Sequence, residues 1–152
     1  MIRRLLGGLA VGFGLVLGVG GASADLIKKR SPHDVATTLD RLEKILKRKG
    51  LTVFARIDHA KGAASVKMAL RPTALIIFGN PKLGTSLMQT QQTAGIDLPM
   101  KALAWRDASG FVWLAYERPA DMARNRGIDP THKAITTMTG ALEKMTDAAL
   151  KP

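Results

Sequence analysis

The segment from Gly79 to Thr85 (GNPKLGT) has the composition of a strand-to-helix turn that could bind an anion. Asn80 can cap the helix and Pro81 suits its first position, which leaves the next backbone N–H groups free to hold a negative group. The Lys82 ammonium and the Thr85 hydroxyl could assist. The alternative is a tight turn whose glycines only relieve the backbone. Both interpretations stay open at the level of sequence.

The glycine spacing in this segment, Gly79 to Gly84, is that of a phosphate-binding P-loop. However, Thr85 stands where that loop requires its lysine. We therefore do not expect a nucleotide triphosphatase.

Asp58 and His59 are a second pair of residues that could act in catalysis or metal binding. They lie at the end of a segment whose apolar and polar residues alternate as in a strand. An imidazole can act as a general base or as a metal ligand, so a small hydrolase or metal-dependent enzyme using Asp58 or His59 is one hypothesis. The alternative is structural, with Asp58 capping the next helix. His33, His59 and His132 lie far apart without zinc-site spacing, so we expect no metal site.

Several chemistries are excluded by composition. The chain has no cysteine, which rules out disulfides, thiolate metal sites, c-type haem attachment and a cysteine nucleophile. It has no G-x-S-x-G nucleophile motif and no visible carboxylate pair. The methionines fall at core spacings, which favours packing over Cu(I) binding. We expect a non-catalytic protein without a cofactor.

The N-terminus, residues 1–24, is predicted to be a signal peptide. Arg3 and Arg4 form a basic region, an apolar run follows from Leu5 to Val19, and Ala22-Ser23-Ala24 is a small-x-small cleavage site. Cleavage near Ala24 would leave residues 25–152 as a periplasmic or secreted domain. The residues after the arginine pair match the twin-arginine motif poorly, which favours the general secretory route. A retained membrane anchor is the alternative.

The charge balance indicates anionic partners. The chain has 23 Lys+Arg and 12 Asp+Glu, a net charge of +11; loss of Arg3 and Arg4 would leave +9. An exported protein rarely meets nucleic acid, so we expect a small anionic ligand or an envelope component, and weak contact with an anionic membrane surface.

The chain length suits one domain, and its patterns predict an α+β fold. Ser31 is the expected cap of the first helix, and residues 25–30 are expected to be a loose lead-in. The predicted order is α-β-α-β-α-β-β-α, with a four-stranded mixed sheet covered by helices. Trp105 and Trp113 flank a predicted hairpin, where they could pack in a core or in a homodimer contact.

Three strings resemble the signatures of the bacterial and archaeal domain of unknown function 302 family. They are GLTVFARIDH from Gly50, FGNPKLGTSLM from Phe78 and DLPMK from Asp97, and the resemblance extends over residues 35–119. It implies a compact α+β fold that often self-associates and is frequently exported. It implies no established activity.

Together these features favour an exported, non-catalytic module that binds a small or anionic ligand, or a partner. The expected binding residues are His59, Asn80, Lys82 and Thr85. The alternatives are the Asp58/His59 enzyme and a purely structural homodimer of the envelope.

Overall fold

A five-stranded sheet and a layer of helices make up the protein, in a computed structural model that describes residues 26–152. The predicted signal peptide and its cleavage site lie outside the described residues. The strands are β1 Leu26–Ser31, β2 Thr52–Asp58, β3 Thr73–Gly79, β4 Met100–Arg106 and β5 Val112–Glu117. The helices are α1 Val35–Arg48, α2 His59–Ser65, α3 Pro81–Thr90, a 3₁₀ helix Gln92–Ile96, α4 Pro119–Asn125 and α5 Lys133–Ala149.

The strands lie in the order β1-β5-β4-β3-β2, and every neighbouring pair is antiparallel. The α+β class and the single domain are as predicted. The four predicted strands are present, but a fifth strand joins them, and the sheet is antiparallel throughout instead of mixed. A parallel pairing of β2 and β3 would need a long covered crossover. The connecting helix α2 is short and has no buried residue, so the chain turns back instead.

The additional strand is β1, which the sequence analysis took for a loose lead-in. It pairs along its whole length with β5. Its basic residues are not simply solvated, since Lys29 reaches α5 and donates to the Thr146 hydroxyl at 2.9 Å and to Asp147 at 2.5 Å. The run of Lys and Arg does not predict a strand, because the hydrogen bonds of β1 are made with β5, which is distant in the sequence.

The start of α1 also differs from the prediction. Asp34, not Ser31, is the N-cap, and its carboxylate accepts from the Thr37 N–H at 2.7 Å. Ser31 instead ends β1 and is buried, with its hydroxyl 2.6 Å from that of Thr38. The helix ends at Arg48, and Gly50 follows the capping residue Lys49 with a φ of +73°, which suits glycine.

One face of the sheet forms the core with the helices. From β3 it contributes Ala74, Ile76 and Phe78, which pack with fully buried leucines of α1. Each fully buried large apolar side chain stabilises the fold by about 1.5–3 kcal/mol. This layer fixes α1 and α5 over the sheet and thereby the walls of the site below.

The second face of the sheet has a half-exposed apolar row. Leu75 pairs with Leu103 across β3 and β4, and Trp105 lies directly opposite Trp113 across the β4–β5 hairpin. These side chains are only partly buried. The predicted proximity of the two tryptophans is confirmed, on the face away from the helical core.

Candidate functional site

A cleft lined mainly by apolar side chains lies where β3 ends and α3 begins. Its volume is about 360 Å³. Strands β3 and β4 form its floor, and α3 and α5 form its walls. It is lined by Leu51, Phe54, Phe78, Gly79, Asn80, Pro81, Leu83, Gly84, Thr85, Met88, Leu98, Pro99, Met100, Met138, Ala141, Leu142 and Met145. None of these lining residues carries a charge.

Asn80 lies at the rim of this cleft and caps α3. Its side-chain oxygen accepts from the Lys82 N–H at 2.9 Å and from the Leu83 N–H at 3.4 Å. The Gly84 N–H donates to the Asn80 carbonyl at 3.0 Å, and Pro81 has no N–H to offer. The first-turn N–H groups expected to hold an anion are therefore used within the chain. The arrangement is that of the capped turn given above as the alternative.

Two side-chain groups at the rim keep hydrogen-bonding capacity. With its oxygen occupied, Asn80 still has its amide NH₂, and Thr85 has its hydroxyl. Neither group bonds to another of the described residues. Both residues line the cleft, so the rim can donate to a ligand although the first turn of α3 cannot.

The other two predicted binding residues lie elsewhere. Lys82 is exposed on the first turn of α3 and does not line the cleft. His59 is at the opposite end of the sheet, because β2 and β3 are antiparallel: Thr52 pairs with Gly79 but Asp58 pairs with Ala74. At about 3.4 Å per residue this places Asp58 roughly 17 Å from Gly79 along the strand direction. His59, Asn80, Lys82 and Thr85 therefore do not form one site as predicted, because the antiparallel pairing of β2 and β3 separates His59 from the other three.

The side chains of Asp58 and His59 are not hydrogen-bonded to each other. The Asp58 carboxylate caps α2 by accepting from the Lys61 N–H at 2.9 Å, which is the structural role foreseen for it. His59 is exposed, and no other described residue hydrogen-bonds to its ring. Within residues 26–152, no three His, Asp or Glu side chains gather as metal ligands would.

The feature that sequence reasoning missed is the methionine wall of the cleft. Met88, Met100, Met138 and Met145 come from three different elements and all line it. Reading them as packing residues was sound, since Met100, Met138 and Met145 are buried, but their shared cleft depends on tertiary structure. The one local signal was the seven-residue spacing of Met138 and Met145, which puts both on one face of α5.

One wall of the cleft is held by a salt bridge. Arg126 donates to Asp97 with Nε–Oδ2 at 2.5 Å, just before the lining residues Leu98 and Pro99. Hydrogen bonding to Asp97 raises the pKa of Arg126 further above its ordinary value. Nearby, burial and the Asp97 charge raise the pKa of Glu117. These charges stabilise the loop behind the lining without entering the cleft.

The fold and cleft define a small α+β domain with one antiparallel sheet, helices on one face and an uncharged cleft between them. This chain belongs to the family described as Domain of unknown function DUF302, whose profile matches residues 27–147. The match confirms the resemblance noted in the sequence and extends it to β1 and most of α5.

Curated relatives at 46% identity over 123 residues occur in three Brucella species. They are fluoride-specific ion channel FluC 1 of Brucella suis biovar 1 (strain 1330), FluC 1 of Brucella abortus biovar 1 (strain 9-941) and FluC 2 of Brucella melitensis biotype 1 (strain ATCC 23456). The match covers 78% of this chain and 46–48% of each relative. The chain thus spans about half the length of these proteins. Among residues 26–152, no helix has the length and apolarity needed to cross a membrane.

A solved structure shares the fold. It is that of an uncharacterized conserved DUF302 protein from Bacillus stearothermophilus, with a TM-score of 0.67 at 19% identity. The similarity covers 82% of this chain and 94% of that one. At this identity it speaks to the fold alone.

Proposed function

We propose that this domain is a non-catalytic, exported module that binds a small, mainly apolar molecule in the cleft between α3 and α5. The observation that carries the proposal is the cleft itself: a cavity of about 360 Å³ with an uncharged, largely hydrocarbon lining. Ligand sites are commonly apolar clefts of about 300–1,000 Å³ with a few polar groups that orient the ligand. The rim groups of Asn80 and Thr85 fit that description.

Physical chemistry favours an occupant. Each square ångström of apolar surface removed from water contributes about 25 cal/mol, so a hydrocarbon ligand would gain by covering the Phe54 and Met88 side chains. The methionine wall can adjust its shape to the ligand, because thioether side chains are flexible and polarisable. Of the predicted binding residues, Asn80 and Thr85 line the cleft. The apolar side chains that would contact most of the ligand were not predicted as binding residues.

The structure gives less support to an anion bound by backbone N–H groups than the sequence suggested. The backbone donors that were to hold the anion are occupied by Asn80 and its turn. Binding through the apolar body of the ligand is therefore better supported than binding through charge alone. Lys82 is exposed on the first turn of the same helix, and its positive charge would favour a negatively charged end of the ligand over a positively charged one.

The hypothesis of an Asp58/His59 enzyme gains no support. Asp58 is used as a helix cap, and nothing among the described residues orients the His59 ring. A nucleophile, a base and an orienting group within hydrogen-bond reach are what catalysis requires.

We place the domain in the periplasm or outside the cell. The features that support this are the basic, apolar and small-x-small segments of residues 1–24.

We also propose that the domain forms a homodimer through the second face of the sheet. Leu75, Leu103 and Trp105 lie there only partly buried, and an apolar row of this kind gains stability when a second copy covers it. This face is distinct from the cleft, so a dimer leaves the ligand site open.

Native mass spectrometry of the full chain, expressed in its own host and recovered from the envelope, tests the binding proposal. The wild-type protein is expected to carry an added mass. Ala141→Phe, which fills the cleft from α5, should lose it, and Thr136→Phe, on the exposed opposite face of the same helix, should retain it. An identical absence of added mass in all three proteins, together with no thermal stabilisation by added hydrocarbon probes, would contradict the proposal. The protein mass also reports whether cleavage occurs after Ala24.

A further inference from the structure

We infer that the ligand is a single-chain amphiphile, a fatty carboxylate, with its head group at Asn80 and Thr85 and its hydrocarbon chain against α5. This inference rests on the proposed function and deepens it. It is carried by the distribution of polar groups around the cleft, which is one-sided.

The polar side chains of the lining come from one place. Asn80 and Thr85 belong to the start of α3, whereas α5 and β4 contribute only apolar side chains such as Met138 and Met100. A sugar or another polyol would need polar partners on every side, because each hydroxyl that is buried without a hydrogen-bond partner weakens binding. A ligand with one polar end and an apolar body leaves no group unpaired in this cleft.

The rim selects a head group that accepts hydrogen bonds. The Asn80 oxygen is occupied by the helix cap, so its side chain can only donate, through the NH₂ group. The Thr85 hydroxyl can donate as well. Both groups can donate to the oxygens of a carboxylate, whereas the Asn80 NH₂ has no lone pair to offer an ammonium head.

The positive charge near the rim also favours a negatively charged head group. Lys82 is exposed on the first turn of α3 and forms no salt bridge with another of the described residues. No carboxylate lines the cleft. A cationic head group would be repelled by this positive charge, whereas an anionic one would be attracted to it.

The shape of the wall suits a flexible chain. Met138, Leu142 and Met145 recur along one side of α5, which forms a strip parallel to the helix axis. Methionine-rich surfaces repack around ligands of differing length. A strip of this kind fits an extended acyl chain better than a flat, rigid ring system.

Isothermal titration calorimetry of the full chain with two probes of equal chain length provides the test. Dodecanoate and dodecyltrimethylammonium are titrated below their micelle-forming concentrations. Dodecanoate is expected to bind at least tenfold more tightly. Ala141→Phe should abolish the binding of both probes.

Three variants examine the head group without removing the cleft. Asn80→Asp keeps the capping oxygen but replaces the donor NH₂ with a negative charge, and should weaken dodecanoate binding about tenfold. Thr85→Val keeps the shape of the rim and should weaken it several-fold. Lys82→Glu should also weaken dodecanoate, whereas Lys61→Glu, on α2 at the far end of the sheet, should not.

The outcomes separate the two proposals. If both probes bind equally, Ala141→Phe abolishes both, and the rim variants change nothing, the carboxylate assignment is overturned and the apolar cleft stands. If neither probe binds and Ala141→Phe is silent, the cleft proposal fails as well. Binding of short-chain phosphatidylglycerol but not of dodecanoate would overturn the free fatty acid in favour of a membrane lipid as the source of the acyl chain.

Discussion

At the scale of single residues, polar side chains in this protein mostly serve the backbone. Asp34, Asp58 and Asn80 each cap a helix, and Asp107 organises the β4–β5 hairpin. Its carboxylate accepts from the Ser109 and Phe111 N–H groups at 2.9 Å and from the Trp113 indole at 2.7 Å. These Asp and Asn side chains, whose types could suggest catalysis or ligand binding, form hydrogen bonds that stabilise helix ends and turns.

The Asp107 carboxylate yields a pH prediction. Its pKa is lowered from the ordinary 3.8, chiefly by the hydrogen bond from Trp113. Because the folded pKa lies below the unfolded one, the ionised group stabilises the hairpin above pH 3.8, and this stability is lost as the pH falls through the folded pKa. In an NMR titration the Trp113 indole proton should shift with a midpoint below 3.8.

Internal and external controls accompany this titration. The Trp105 indole should not follow the same curve, since it does not bond to Asp107. In Asp107→Asn the Trp113 transition should disappear. A midpoint at or above 3.8 in the wild-type protein would contradict the assignment.

At the scale of elements, β1 is joined to α1 by a buried chain of hydrogen bonds. The His33 N–H donates to the Ser31 hydroxyl at 3.1 Å, Ser31 bonds to Thr38 at 2.6 Å, and the Thr38 hydroxyl donates to the Asp34 carbonyl at 2.7 Å. Ser31 and Thr38 are both buried. The edge strand and the first helix therefore depend on each other.

Replacing Thr38 tests this connection. Thr38→Val keeps the volume but leaves the proton of the buried Ser31 hydroxyl without an acceptor, while the Asp34 carbonyl keeps only the Thr38 backbone N–H. It should lower the free energy of unfolding by about 1–3 kcal/mol. Thr136→Val, at an exposed site on α5, should change it by less than about 0.5 kcal/mol. Urea denaturation measures both. Equal stability of the two variants would show that the buried chain contributes nothing net.

At the scale of the whole molecule, the two faces of the sheet have different surroundings. One face is covered by α1 and α5, and the other carries the partly buried row that includes Leu75, Leu103 and Trp105. We expect sedimentation velocity to show a concentration-dependent dimer. Leu103→Lys should shift it to monomer with the circular dichroism unchanged, because a charge would be desolvated in the interface.

The control for this experiment is Ile96→Lys, an equally drastic change at an exposed residue on the helical side of the molecule. It should leave the dimer intact. A monomer at all concentrations in the wild-type protein, or a dimer unaffected by Leu103→Lys, would contradict an interface on the second face.

Local patterns in the sequence were sufficient for most elements. The period of the apolar residues in α1 and α5, the alternation in β2 and the Ser109-Gly110 turn all predict what is observed. These features depend on neighbours within a few residues, which is why the sequence alone determines them. The capped turn at Asn80 belongs to the same class.

Tertiary structure decided the remaining features. The basic strand β1 exists because the β5 edge pairs with it, and no local property of Lys28 or Lys29 reveals that partner. The direction of β3 relative to β2 placed His59 far from Asn80, although both follow strands. The cleft itself gathers Met88 and Met145 from distant parts of the chain. The pairing of distant strands depends on side-chain packing across the whole sheet. Patterns within a few neighbouring residues carry no information about that packing.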